Sequence, residues 1–274
     1  MNITDQTPEL KSIINEVAEI AGYLWQRGWA EKNAGNISIN INHLVDKDLF
    51  DNKNLPVFDL EVAMPRLEGQ IYFITGTGSR MRDIANKPLR HSVFIRIMNN
   101  GQSYKLRFEG SGAEEKIMPT SELPTHLALH NQILLNNGSE KVILHTHASE
   151  LIAFTHSASI NTQEQVNRVV WGMHPEAMVF IPAGVGFVPY ALPGSQEIAD
   201  KTIEKMQDYD VVLWEKHGIF AKGETIGDTF DKIDIVTKSV KIWFMCHSAG
   251  FKPEGLTDSQ IDELKELVAK FGIV

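Results

Sequence analysis

The chain has 274 residues and a mass of 30.7 kDa, with 43% hydrophobic and 22% charged residues, proportions that exclude a disordered or fibrous protein. Twenty-six Lys and Arg stand against 35 Asp and Glu, a net charge of −9, and no basic run is long enough to neutralise a line of phosphates, so nucleic acid is not the expected partner. Cys246 is the only cysteine, which rules out an intrachain disulfide, and no apolar run approaches the ~20 residues of a membrane span, so a soluble protein of the reducing cytoplasm is expected, with no membrane partner.

In chain order, Ile13, Ile14, Val17, Ile20, Ala21, Leu24 and Trp25 recur at three- and four-residue steps and predict an amphipathic helix over 10–28. Alternation over 36–41 predicts a strand, and residues 42–70, with two prolines and scattered charges, read as an irregular insertion. A short buried strand at 71–74 runs into Thr75-Gly76-Thr77-Gly78-Ser79, a loop of small donors. Two antiparallel strands, 92–98 and 103–109, are joined by Asn99-Asn100-Gly101. A helix begins at Thr120 or Ser121 and stops at Asn136-Asn137-Gly138, and 141–147 is a strand. Further strands are predicted at 177–181 and 210–215, and helices at 149–156, 195–207, 225–247 and 258–270. With no repeat or linker in view, residues 1–274 read as one domain.

His145-Thr146-His147 carries the sharpest chemistry. Strand side chains repeat every two residues, so both imidazoles leave the sheet on one side as a pair of preassembled metal ligands. Catalytic zinc commonly takes three protein ligands and keeps a position open. His217, at the end of the apolar run Val211-Val212-Leu213-Trp214 and next to Gly218, is the favoured third ligand. His126 and His130, spaced i, i+4, compete with it, but Leu127 replaces the glutamate of a His-Glu-x-x-His helix, and core or supporting roles suit them better. His43, His91, His156, His174 and His247 show no ligand spacing.

Glu122 stands at a helix start, where the dipole alone would favour a carboxylate; the alternative is a proton acceptor at the metal or an exchangeable ligand. Glu176 follows Gly172 and Pro175 in a segment read as a loop. The segments Asn33-Ala34-Gly35-Asn36-Ile37-Ser38 and 75–79 offer backbone amides and hydroxyls to a phosphate. Neither is a Walker A loop, and Met81 breaks a Gly-x-Gly-x-x-Gly pattern, which disfavours a nucleotide.

Taken in order, 33–38, Thr75-Gly76-Thr77-Gly78, Thr120-Ser121-Glu122-Leu123-Pro124, His145-Thr146-His147-Ala148 and His217-Gly218 resemble the class II aldolase/epimerase family, also called the aldolase II or adducin-head family, over about residues 10–250. The resemblance implies an α/β fold in three α/β/α layers with a central, mostly antiparallel sheet. It also implies a C4 homotetramer with sites at subunit interfaces and one Zn2+ per subunit on His145, His147 and His217. Glu122 matches the catalytic carboxylate, Glu176 an acid/base from a neighbouring subunit, and Asn33, Gly35, Asn36, Thr77, Gly78 and Ser121 fall at the substrate phosphate. Ala34 and Thr77 depart from the family pattern, where a second glycine and a serine are familiar, which puts fine substrate fit at issue.

The implied reaction is retro-aldol cleavage of a sugar phosphate to dihydroxyacetone phosphate and an aldehyde, with L-rhamnulose 1-phosphate expected and L-fuculose 1-phosphate as the alternative. Three other readings stand beside it: a sugar-phosphate 4-epimerase sharing the metal, a Schiff-base aldolase using Lys141, and a metal-free structural head.

Overall fold

The computed structural model describes residues 3, 7–110 and 117–271. Among them are nine α-helices and nine strands in one sheet of order β2-β5-β4-β3-β1-β6-β9-β8-β7. Every strand pairing for which a register is defined is antiparallel except β7 with β8. The α/β class with a mostly antiparallel sheet is therefore as expected. The chain folds into two compact units, residues 1–146 with 222–229, and residues 147–221 with 230–274.

In the first unit, helix α1 (Pro8–Gln26) starts where the Thr7 side chain accepts from the Leu10 amide and proline occupies the first turn. Its stripe of Leu10, Ile14, Val17, Ile20, Ala21 and Leu24 is buried. Strand β1 (Asn36–Asn40) lies between β3 (Ile71–Thr75) and β6 (Val142–Thr146). Strands β4 (Ser92–Met98) and β5 (Ser103–Arg107) form the expected hairpin, with Asn99, Asn100 and Gly101 all at positive φ. All five residues of β3 are buried, so both faces of the sheet are covered there.

Period-two alternation and the register sort the two faces. Tyr72, Ile74, Val93, Ile95 and Ile97 pack under Leu123 and Leu127 of α3 (Leu123–Leu135). On the opposite face Phe73 meets Phe94 with ring centroids 5.3 Å apart, and α1 residues Ser12 and Ile13 line a cavity with Ile39 and Val142. Helix, sheet and helix make three layers in this unit. The insertion at 42–70 is less irregular than expected, because Val57–Asp59 forms edge strand β2 on β5, between 3-10 turns at Lys47–Phe50 and Pro65–Leu67. Three half-exposed residues after Pro56 are too few to show alternation. Helix α2 (Met81–Asn86), only six residues long, likewise left no periodic signal.

In the second unit, α4 (Ser149–Phe154), α7 (Gln196–Lys205), β8 (Val211–Trp214), α8 (Ile226–Ser248) and α9 (Asp258–Phe271) follow the sequence, although the first four residues of α8 fall in the first unit. The strand expected at 177–181 is instead helix α6 (Pro175–Phe180). A short apolar run is ambiguous between the two states, and Pro175 at the first helical position settles it toward helix. The same helix corrects the loop reading of Glu176, which sits in its first turn. The neighbouring strand is β7 (Val185–Val188), whose Val185 is held at both backbone groups by the Asn167 side chain of α5 (Gln163–Met173). Strand β9 (Gly218–Gly223) closes a tight hairpin with β8. No helix among the described residues is long and apolar enough to cross a membrane.

Two histidines lie within the α3 layer. His126 and His130, one turn apart, point at β1, where Ser38 Oγ lies 2.6 Å from His126 Nδ1 and 2.8 Å from His130 Nε2. The His130 ring rests on Tyr72 at 4.7 Å. Burial pushes the His126 imidazole down to about 4, against the pull of the Glu122 carboxylate, and the His130 imidazole down to about 3, with His126 adding to the effect. Both are neutral in the folded chain at pH 7, while an unfolded histidine titrates near ~6.5.

The sign of the linkage follows. The stability these neutral rings allow is complete above the unfolded value and is lost as pH falls from about 6.5 to about 4 for His126 and to about 3 for His130, where the unfolded chain takes up their protons first. The slope approaches about 1.4 kcal/mol per pH unit per histidine. Urea midpoints measured from pH 7.5 to pH 5 in chelator should fall for the wild type and fall less steeply for His130→Leu; equal slopes would contradict the burial of a neutral His130.

Candidate metal centre

The site is built on the pairing of β1 with β6, in which Asn36 stands directly opposite His145 and the two side chains share the α3 face. His145 is 1% exposed. His147 follows two residues later, just beyond the strand end and before α4. The loop ahead of β1 approaches this strand so closely that a Cβ on Gly35, at φ +80°, would stand 3.0 Å from the His145 carbonyl oxygen. Only glycine suits both the left-handed backbone and the gap.

His217 comes from the β8–β9 hairpin. Trp214 pairs with Gly218, and the three intervening residues turn through Lys216 at φ +59°. Trp214 is fixed by its indole N–H, which donates to Thr202 Oγ1 at 2.8 Å, and it meets the His217 ring edge-on at 4.9 Å. His147 also meets the His217 ring, with centroids 5.0 Å apart and planes at 76°.

One ligand nitrogen from each of His145, His147 and His217 lies within 4.8 Å of the others. Three imidazoles at that spacing are a donor set suited to a divalent ion such as zinc with a position left open. His126 and His130, the competitors for the third place, are engaged with Ser38 instead.

Glu122 is the N-cap of α3 and reaches the same end of β6, with Oε1 3.9 Å from His145 Nε2. Its other oxygen, Oε2, accepts from Asn36 Nδ2 at 2.8 Å. Asn36 Oδ1 is in turn in contact with His126 Nε2, a bond that appeared in no sequence pattern. The helix start and the 75–78 loop are stitched together: Gly76 bridges Pro119, Thr77 N donates to the Met118 carbonyl at 2.8 Å, and Thr120 N donates to the Thr75 carbonyl at 2.9 Å. Thr77, Gly78, Ser121 and Asn33 are exposed, and a Cβ on Gly78 would meet nothing within 4 Å. Asn36 differs from the rest of that group, being 6% exposed with both ends of its side chain engaged.

Glu176 is exposed in the first turn of α6 and pairs with His174 Nε2 at 3.0 Å. The metal-ligand set does not include it. Lys141 precedes β6 at the end away from His145, roughly 13 Å off by strand rise, and lines the cavity with Glu9, Glu16 and His43.

The rhamnulose-1-phosphate aldolase of Bacteroides thetaiotaomicron is 41% identical over 266 residues, 96% of this chain and 96% of that protein. Its namesake in Klebsiella pneumoniae is 33% identical over 252 residues, 91% of this chain and 89% of its own. The crystal structure of a sugar-phosphate aldolase from Thermotoga maritima superposes with a TM-score of 0.75 at 29% identity, covering 90% of this chain and 100% of that one. The sequence model described as Class II Aldolase and Adducin N-terminal domain matches residues 15–244. With that match and a 41% identical relative over nearly the whole length, the chain belongs to the class II aldolase and adducin N-terminal domain family.

Proposed function

We propose that this chain catalyses the reversible cleavage of L-rhamnulose 1-phosphate to dihydroxyacetone phosphate and L-lactaldehyde. The observation that carries the reading is the Glu122 carboxylate held beside an imidazole triad, and the relatives named rhamnulose-1-phosphate aldolase at 41% and 33% identity supply the substrate. His145, His147 and His217 would hold the metal, read as zinc because the donors are all imidazole. When bound, that ion supplies Lewis acidity toward the negative charge left on the sugar's oxygens as the C3–C4 bond opens.

Glu122 is assigned the proton at C3 of the dihydroxyacetone phosphate half. Its oxygens have different neighbours, Asn36 on one and His145 near the other, so the carboxylate stays oriented. Asn33, Gly35, Thr77, Gly78 and Ser121 are assigned to the substrate phosphate, which would align the scissile bond; all but the half-buried Gly35 are exposed. Asn36, sixth in that group, contributes by anchoring the loop from beneath, since its amide is already held.

Glu176 is assigned the proton on the aldehyde oxygen, acting in the site of a neighbouring copy. Its exposure supports this, as do the exposed apolar residues Phe180, Tyr190 and Leu192 in the same stretch of chain, which a cytoplasmic homotetramer would cover. An epimerase would keep the aldehyde bound, so release of dihydroxyacetone phosphate separates the two activities. The position of Lys141 away from the triad speaks against a Schiff base. The triad and Glu122 speak against a metal-free structural head.

Three outcomes are expected. His217→Ala should lose stoichiometric zinc and all measurable cleavage while keeping its circular dichroism, and chelation of the wild type should do the same reversibly, as assayed by released dihydroxyacetone phosphate; full turnover by metal-free protein would end the reading. Glu122→Gln should keep its zinc and lose turnover by about 100-fold or more, the usual scale for removing a general acid/base. Glu122→Gln and Glu176→Gln, each strongly impaired alone, should regain part of the wild-type rate when unfolded together and refolded as mixed assemblies, because some sites then receive both intact carboxylates; no recovery would place the two groups in one subunit's site.

A further inference from the structure

We propose that Ser38, His126 and His130 are positioning residues for the aldol cleavage: a buried, one-directional chain of hydrogen bonds that runs through Asn36 and fixes the Glu122 carboxylate. The inference rests on the assignment of Glu122 as the group that moves the C3 proton.

The direction of the chain follows from the chemistry of its ends. An ionised carboxylate only accepts, so Asn36 must turn its Nδ2 toward Glu122 Oε2, at 2.8 Å, and its Oδ1 toward His126. The opposite amide orientation would set oxygen against oxygen at Glu122. His126 Nε2 therefore carries a proton and donates to Asn36 Oδ1. A neutral ring has one N–H, so its Nδ1 is bare and accepts from the Ser38 hydroxyl at 2.6 Å. Ser38 Oγ, having spent its proton, accepts from His130 Nε2–H at 2.8 Å. Each donor from His130 to Asn36 thus points toward Glu122, and each bond polarises the next in a setting without solvent. Ser38 is wholly buried, His126 is wholly buried and His130 is 2% exposed, so their polar atoms depend on one another rather than on bulk water for hydrogen bonds.

The backbone supports the same reading. Asn36 and Ser38 lie on one face of β1, and His126 and His130 lie one helical turn apart, so the strand and helix periods meet at two successive contacts. Glu122 caps that same helix, so the chain binds the first turn of α3 to the strand at the point where the carboxylate emerges. Loss of Ser38 Oγ would leave His126 Nδ1 and His130 Nε2–H facing each other without the group that joins them, and His126 would lose the donor that keeps its proton on Nε2, the atom that holds Asn36 Oδ1.

The test is a double-mutant cycle on zinc-loaded full-length protein with L-rhamnulose 1-phosphate, reading kcat, KM and zinc content. Ser38→Ala should lower kcat about 10-fold, with KM within about twofold and zinc unchanged, and Ser38→Thr, which keeps the hydroxyl, should restore most of kcat. In the Glu122→Gln background Ser38→Ala should cost almost nothing further, because the chain acts only through the carboxylate. An equal loss in both backgrounds would overturn the proposal, as would wild-type kcat in Ser38→Ala. If Ser38→Ala does not fold, His130→Leu interrogates the far end of the chain: a reduced kcat at unchanged KM, absent in the Glu122→Gln background, supports it, and wild-type kcat refutes it. Wild-type turnover in Glu122→Gln alone would instead defeat the assignment of Glu122, a distinguishable result.

Discussion

The register that sets Asn36 against His145 is the constraint on which the centre depends. Directly opposed residues of an antiparallel pair share a face, so the candidate ligand His145 and the amide bonded to the Glu122 carboxylate emerge side by side from two strands whose starting points lie more than a hundred residues apart in the chain. A one-residue slip would turn His145 to the opposite face of the sheet, toward α1 and away from Glu122. The close approach of Gly35 to the His145 carbonyl holds the end of that pairing, and the hydrogen bond between the Ile37 amide and Thr75 Oγ1 at 3.0 Å ties β1 to β3 on its other side.

The two sides of the candidate site are supported in different ways. The histidine side of the site is oriented by aromatic packing, with Trp214 pinned by Thr202 and set edge-on against His217. The carboxylate side is oriented by buried polar bonds in which each donor and acceptor finds its match. Aromatic contacts tolerate small displacements of the ring. A hydrogen-bond chain is more directional, and here it ends on a carboxylate whose two oxygens have different neighbours.

Much of this was legible in the sequence where a period or a fixed spacing existed. The three-and-four pattern of α1, the alternation of β1, the turn residues at 99–101 and the His-x-His pair each reflect a local rule, and the structure shows the corresponding element or pairing. Very short elements were not legible: β2 has three residues and α2 six, and neither completes enough of a period to register. Residues 177–181 went the wrong way because an apolar run of that length fits strand and helix alike, and the decision lay with Pro175 outside it. The link from Ser38 to His126 had no sequence signature, since nothing local connects a strand serine to a helix histidine 88 residues on.

The amide in the middle of that network has a consequence for where protons travel. Imidazoles and hydroxyls can take a proton on one side and release another on the opposite side, but a carboxamide at neutral pH does neither. Asn36 therefore blocks proton transfer between Glu122 and the two buried histidines while still passing on hydrogen-bond polarisation. The carboxylate can be gripped from inside the protein without exchanging protons through Asn36 with the buried histidines.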